Sequence, residues 1–331
     1  MSPARAGLRA ATAAGLSALS VAVFGFPQPF LAVLTSQLAV SQVGGGGRFL
    51  GHNLWAAGAG ALLGGGGLTL CAQQPWLLLP LGGVLAGAGG AWWWGSRSPV
   101  AAMVFLMGLV GTLGSGLIYP EDAIANSLAH AGSLMLALIS AAFAQTLFGG
   151  EAGKDGASEG MVAPSPVLPA ATFGLLSGLA VMTGFGVAAL FFPDLVVPLS
   201  ISVVATCCGL GVASDATVVR QKIGGSILGG VIATVFVVVS AGAGNNIAVL
   251  VGGLMLVLGA LETIAQKSAS GAAWYRQSAV VFAVGATMLP APLAHFSGVA
   301  LRVAAVWLGF AVALCLGLAL LRLGRKPPDV P

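Results

Sequence analysis

The chain has 331 residues, of which 57% are apolar and only 7% are charged, with a mean hydropathy of +0.99. Soluble domains carry about a quarter charged residues, so 13 Lys/Arg and 9 Asp/Glu are too few to coat a water-facing surface. That excludes an ordinary soluble enzyme or nucleic-acid-binding domain: the bilayer solvates this surface, and the pI near 9.1 is assigned to loops facing anionic headgroups.

A spanning helix needs about 20 apolar residues. Hydropathy predicts helices at 9–26, 29–43, 51–71, 75–94, 99–119, 123–148, 169–192, 195–212, 220–241, 247–264, 273–289 and 297–321. The segment from Met1 to Arg9 is short and basic, like the start of a signal peptide, but the apolar segments that follow favour an uncleaved first helix. Two places are ambiguous, Phe26-Pro27-Gln28-Pro29-Phe30 and Phe192-Pro193-Asp194-Leu195. Each is either a kink in one long helix or a turn between two short ones, because Pro lacks the backbone donor and clashes with the preceding turn.

Charge decides between these. With turns, Arg5, Arg9, Arg48, Arg97, Lys154, Arg220, Lys222, Lys267, Arg276, Arg322, Arg325 and Lys326 share one side, and only Arg302 falls on the other. With kinks, Arg48, Arg97 and Lys154 would oppose Arg5 and Arg9, and the positive-inside pattern would collapse. The expected fold is therefore an all-α integral membrane protein of about twelve helices, with Pro27, Pro29 and Pro193 as turn residues and both termini cytoplasmic. Trp92, Trp93 and Trp94, with Tyr119, Trp274 and Tyr275, fall at predicted helix ends and read as an interfacial belt.

The chain repeats weakly at a period of about 165 residues. Phe26-Pro27 answers Phe192-Pro193, and the Gly60/Gly64 helix answers the Gly225/Gly229 helix. Pro120 precedes His130 by the same spacing as Pro292 precedes Arg302. The expected organisation is a six-helix repeat over 1–149, a Gly-, Ser- and Pro-rich cytoplasmic linker over 150–168, and a second six-helix repeat over 169–331. An even number of helices per half makes the repeats parallel, an arrangement common in transporters, whose sites lie between the halves.

These segments resemble the fusaric acid resistance (FUSC) and aromatic acid exporter superfamily, in a compact form without a large soluble domain. The likeness is carried by Phe26-Pro27-Gln28-Pro29-Phe30 followed by Arg48 and the glycines from Gly58 to Gly67. It recurs as Phe192-Pro193 followed by Arg220, Gly224, Gly225 and Gly229, and an Arg early in the last helix, Arg302, completes it. The resemblance implies efflux of aromatic or related carboxylic acids across the bacterial inner membrane, often with a periplasmic adaptor protein, and it allows for a homo-oligomer.

Ionisable groups inside a bilayer are costly and mark candidate sites. His130, well inside the sixth predicted helix, is either a proton-coupled switch or carboxylate contact, or a neutral ring bonded between helices. Arg302 is either an anion ligand, or a side chain that snorkels to the interface or pairs with Glu121, Asp122 or Asp194. Glu262 is either a proton carrier or a partner of Lys267 or Arg276 at the cytoplasmic surface, which is the preferred reading. Asp194 forms or gates the second Pro turn, and Gln37, Asn53, Asn126, Gln145 and Ser278 line a path or cross-link helices.

Nothing points to a metal or cofactor. Cys71, Cys207, Cys208 and Cys315 lie in apolar runs without CxxC spacing and read as small hydrophobes. No GxxxxGK[ST], no HExxH and no carboxylate pair on one helix occurs, so enzyme chemistry and direct ATP use are not expected. The leading expectation is a proton-driven exporter of small organic acids. Its rivals are a passive channel, on the strength of Leu168-Pro169-Ala170-Ala171-Thr172, which resembles the L-P-x-x-T element of urea channels, and a non-transporting subunit that docks an adaptor.

Overall fold

The computed structural model describes residues 2–26, 29–42, 47–95, 99–118, 122–148, 169–191, 196–211, 216–242, 246–268 and 271–287, with positions 307, 308, 311 and 315. Pro27, Pro193, Asp194, Arg302, the 150–168 linker and nearly all of the twelfth predicted helix lie outside these residues. Among the described residues there are eleven α-helices: α1 (Pro3–Phe24), α2 (Pro29–Gln42), α3 (Gly47–Cys71), α4 (Leu78–Gly95), α5 (Pro99–Ile118), α6 (Ala123–Phe148), α7 (Ala170–Phe191), α8 (Val196–Gly211), α9 (Ala216–Gly242), α10 (Ile247–Lys267) and α11 (Ala272–Thr287).

Local chemistry sets several of these ends. Ser2 caps α1 by accepting from the Arg5 N–H, and Pro3 occupies the first helical position, where its missing donor costs nothing. The helix therefore starts six residues earlier than hydropathy alone placed it. It stops at Gly25, whose φ of 66° is left-handed and whose N–H bonds back to Val21. Asn246 caps α10 through the Ala248 N–H, and Lys267 closes its last turn.

Eight of the eleven helices are long and apolar enough to cross a membrane, which makes this an all-helical, multi-pass membrane protein. Leu70, Val84, Leu190 and Leu256 point outward, as a lipid-facing surface requires. Three helices are shorter. At 1.5 Å per residue α2, α8 and α11 span only about 21–24 Å against a hydrocarbon core of about 30 Å.

The two short helices α2 and α8 fold back on their predecessors. Gln37 Nε2 donates to the Ala10 carbonyl at 2.8 Å, which makes α1 and α2 an antiparallel hairpin. Gly184 of α7 faces Ser200 and Val203 of α8, and these helices pair in the same sense. The chain thus reverses between Phe24 and Pro29 and again between Phe191 and Val196.

Packing partners follow a pattern. Helix α3 packs on α5, and α9 on α11; α1 packs on α10, and α7 on α4. Helix α4 neighbours α5, and α10 neighbours α11; α5 meets α8, and α2 meets α11. Small residues make these approaches possible. A Cβ added to Gly60 or Gly64 would strike the carbonyls of Phe105 and Leu109, and one added to Gly225 or Gly229 those of Trp274 and Ser278. Helix α5 is almost wholly buried and forms the centre of the bundle with α2 and α8. The aromatic belt needs one correction: Trp92 faces outward, but Trp93 and Trp94 turn inward, and Trp94 stacks on Phe173 of α7 at 3.8 Å. A ring already in van der Waals contact with a neighbouring helix is a packing element rather than an interfacial anchor.

Candidate functional site

Charged side chains gather at the end of the bundle that carries the N-terminus. The approach of α1 to α10 creates the place. Gly7 and Gly259 face each other, and a Cβ on Gly7 would lie 2.6 Å from the Gly259 carbonyl. With glycine on both helices, and the Thr263 side chain filling the space beside Gly7, the backbones approach closely and bring Arg9 of α1 and Glu262 of α10 within electrostatic reach.

Arg9 is only 3% exposed. Its Nη1 donates to Gln145 Oε1 of α6 at 2.6 Å, and its Nε–H meets no acceptor among the described residues. Glu262 is also buried, at 6% exposure. Its Oε1 accepts from Gln266 Nε2 one turn along α10 at 2.9 Å and lies 3.6 Å from Arg276 Nη2 of α11. Arg9 is within electrostatic reach of both Glu262 and Arg276. The Arg276 side chain is 35% exposed, so the cluster opens toward this end of the bundle. The preferred sequence reading had Glu262 pairing at the surface. The partner is indeed Arg276, but the carboxylate is buried, because α1 lies over it.

Two guanidinium groups and one carboxylate leave a formal charge of +1 in a largely desolvated site rimmed by two amides. A guanidinium presents planar, forked donors that match a carboxylate, and such charge-assisted bonds are the strong ones. The arrangement can hold an organic anion. Among the described residues no three His, Cys, Asp or Glu side chains gather as metal ligands would.

His130 sits elsewhere. It is fully buried on α6, with Nδ1 2.7 Å from the Asn126 carbonyl and Nε2 3.3 Å from Ser115 Oγ of α5. A carbonyl can only accept, so Nδ1 carries the proton and Nε2 takes the Ser115 hydroxyl. Gly111 of α5 gives the ring its space, with Leu31 of α2 beside it. Asn126 contributes its backbone carbonyl to this contact. The helical rise puts His130 about 22 Å along α6 from Gln145, so His130 and Glu262 belong to different ends of the bundle.

Sequence reasoning missed Arg9 and the part played by Gln145 and Gln266. The signal was present in Ser2-Pro3: a cap and a first-turn Pro start the helix early and carry Arg9 nearly two turns inside it. These features define a class, a multi-pass helical membrane protein with a buried, net-positive cluster between helices. Comparison with protein-family models, curated proteins and solved structures gives no match. The likeness to aromatic acid exporters thus rests on the Pro, Gly and Arg positions that carry it.

Proposed function

We propose that this chain is a secondary active transporter of the bacterial inner membrane that exports small organic acids, aromatic carboxylic acids foremost, driven by protons. One observation carries the reading: Arg9 and Gln145 come from the first half of the chain, and Glu262, Gln266 and Arg276 from the second. A buried charged cluster between two halves is where transporters bind their cargo.

The pattern of packing supports two six-helix repeats. Shifting by six helices turns α3–α5 into α9–α11, α1–α2 into α7–α8, and α4–α5 into α10–α11. Contacts between the halves obey the same shift, since α1–α10 answers α7–α4 and α2–α11 answers α8–α5. Such a set is what a two-fold axis along the membrane normal produces. The cluster shares its end with Arg5, Arg220 and Lys267, and the positive-inside rule assigns that end to the cytoplasm. A site open to the cytoplasm suits export.

Purified protein in inside-out-oriented proteoliposomes tests this. Saturable uptake of radiolabelled benzoate or 4-hydroxybenzoate, raised by an imposed proton gradient and abolished by a protonophore, is expected. Fast unsaturated flux of neutral solutes would favour a channel. No flux of any acid in a broad panel would overturn the reading and leave the adaptor-docking subunit as its successor.

A further inference from the structure

We infer that the Arg9 cluster binds a single monovalent carboxylate, held by Arg9, and that Glu262 sets this charge limit. The inference rests on the organic-acid reading and deepens it by naming which acids the site takes. Three observations lead there. First, Arg9 is 3% exposed, and its Nε–H has no acceptor among the described residues, while its Nη1 bond of 2.6 Å to Gln145 goes to a neutral amide. A buried guanidinium bonded only to a neutral group has its charge met only at a distance, here by Glu262, and a bound anion supplies both the missing acceptor and a direct counter-charge.

Second, the carboxylate already present is engaged elsewhere. Glu262 Oε1 takes the Gln266 amide at 2.9 Å and faces Arg276 at 3.6 Å, while no ion pair within 4 Å joins it to Arg9 among the described residues. Arg276 and Glu262 thus balance each other beside Arg9, and the balance of the three is one positive charge. Third, of the other described cations at this end, Arg5, Arg220 and Lys267 are exposed to solvent and contribute little to the charge felt inside, and Lys222, half-buried on α9, faces Cys208 of α8. One net positive charge in a desolvated site matches one negative charge on the ligand. A dianion would bring a second negative charge against Glu262 in a medium of low dielectric, where like charges repel strongly.

Benzoate and phthalate share a ring and differ in charge at neutral pH, so equilibrium binding of the pair to the detergent-solubilised full chain reads the limit directly. Wild type is expected to prefer benzoate by about tenfold or more. Glu262→Gln keeps the side-chain shape while raising the site to +2, and the preference should vanish or invert toward phthalate. Arg276→Gln lowers the site to zero, and benzoate affinity should fall about tenfold with no gain for phthalate. The double variant Glu262→Gln/Arg276→Gln returns to +1 through Arg9 alone and should recover the benzoate preference. Recovery in the double variant also answers the concern that either single change merely unfolds the chain. If wild type binds acids but the benzoate-to-phthalate ratio is the same in Glu262→Gln, or the double variant fails to recover it while remaining folded by thermal unfolding, the charge limit is wrong and the transport reading stands. If wild type binds no monocarboxylate at all, both fall together.

Discussion

The crossing of α1 with α10 and the crossing of α7 with α4 are built alike. Gly7 faces Gly259 in the first, and Gly174 faces Gly87 in the second, with the same 2.6 Å between an added Cβ and the opposing carbonyl. Beside the first crossing α11 packs on α10, and beside the second α5 packs on α4. Their contents differ. Registered on the glycines, Arg9 answers Leu176 and Glu262 answers Gly90; registered on the carbonyls that meet Gly64 and Gly229, Arg276 answers Met107. Leu176 and Met107 are buried in the apolar core. Where one crossing places charges, the other places Ser177, bonded to the Ala86 carbonyl at 3.1 Å, and the stacked pair Trp94 and Phe173.

The second crossing acts as an internal control for the first. It shows that this backbone approach closes without charges. Apolar replacements of buried ion pairs are often neutral or stabilising, so ionic content is weak evidence for a stabilising role. The charges of the first crossing are therefore not needed to close it, which is in keeping with the anion site proposed above.

The most severe way to break the comparison is to make the first crossing resemble the second. Arg9→Leu installs the residue found at the answering position. Benzoate affinity should fall about a hundredfold, because a charge-assisted contact is lost from a desolvated site, while the thermal unfolding midpoint in detergent holds or rises. A midpoint that drops steeply in Arg9→Leu, with affinity intact, would make Arg9 a structural residue and erase the contrast. The reverse change, Leu176→Arg, buries an unpaired charge and should destabilise the fold without creating a second site.

A smaller change strikes both crossings equally. Gly7→Val and Gly174→Val each place a branched side chain against an opposing carbonyl, and overpacking of this kind costs about 1–3 kcal/mol. The two variants should lose similar amounts of thermal stability. Only Gly7→Val should also weaken benzoate binding, because spreading α1 from α10 separates Arg9 from Glu262 and Arg276. Equal loss of binding in Gly174→Val would mean that the site is not confined to the first crossing.

Much of the frame was legible in the sequence, and for a physical reason. Helix α6 begins and ends where hydropathy put it, and α2, α5, α7 and α8 agree to within a residue at each end, because apolar length in a bilayer is a local property. The glycines were legible too: the Gly60/Gly64 and Gly225/Gly229 helices answer each other in the sequence, and Gly60 and Gly225 each meet a neighbouring backbone. The depth of a side chain was not legible. Arg9 was counted among charges outside the membrane, since a hydropathy window stops at Arg, and only the Ser2-Pro3 cap tells otherwise. Glu262 and Trp94 were placed at the surface because their covers, α1 and α7, are far away in the chain. Whether a residue near a helix end is wet or dry depends on which distant helix lies over it, and no local pattern carries that.

The gentlest test concerns His130, whose bonds are met without any ligand. Ser115→Ala removes the hydroxyl at Nε2 and leaves the Nδ1 bond to the Asn126 carbonyl in place. Interhelical bonds of this kind average about 0.6 kcal/mol in membrane proteins, so the unfolding midpoint should fall by no more than a degree or two, measured beside wild type in one detergent. Transport separates the two roles open to His130. If His130 only ties α6 to α5, the pH profile of benzoate uptake in Ser115→Ala should overlay that of wild type, because the ring stays neutral and in place. If His130 relays the coupling proton, losing the group that accepts or supplies a proton at Nε2 should displace the profile even though the fold barely registers the change. A displaced profile would move the coupling element to the far end of the bundle from Arg9, and the polar crossing would then select the anion without driving it.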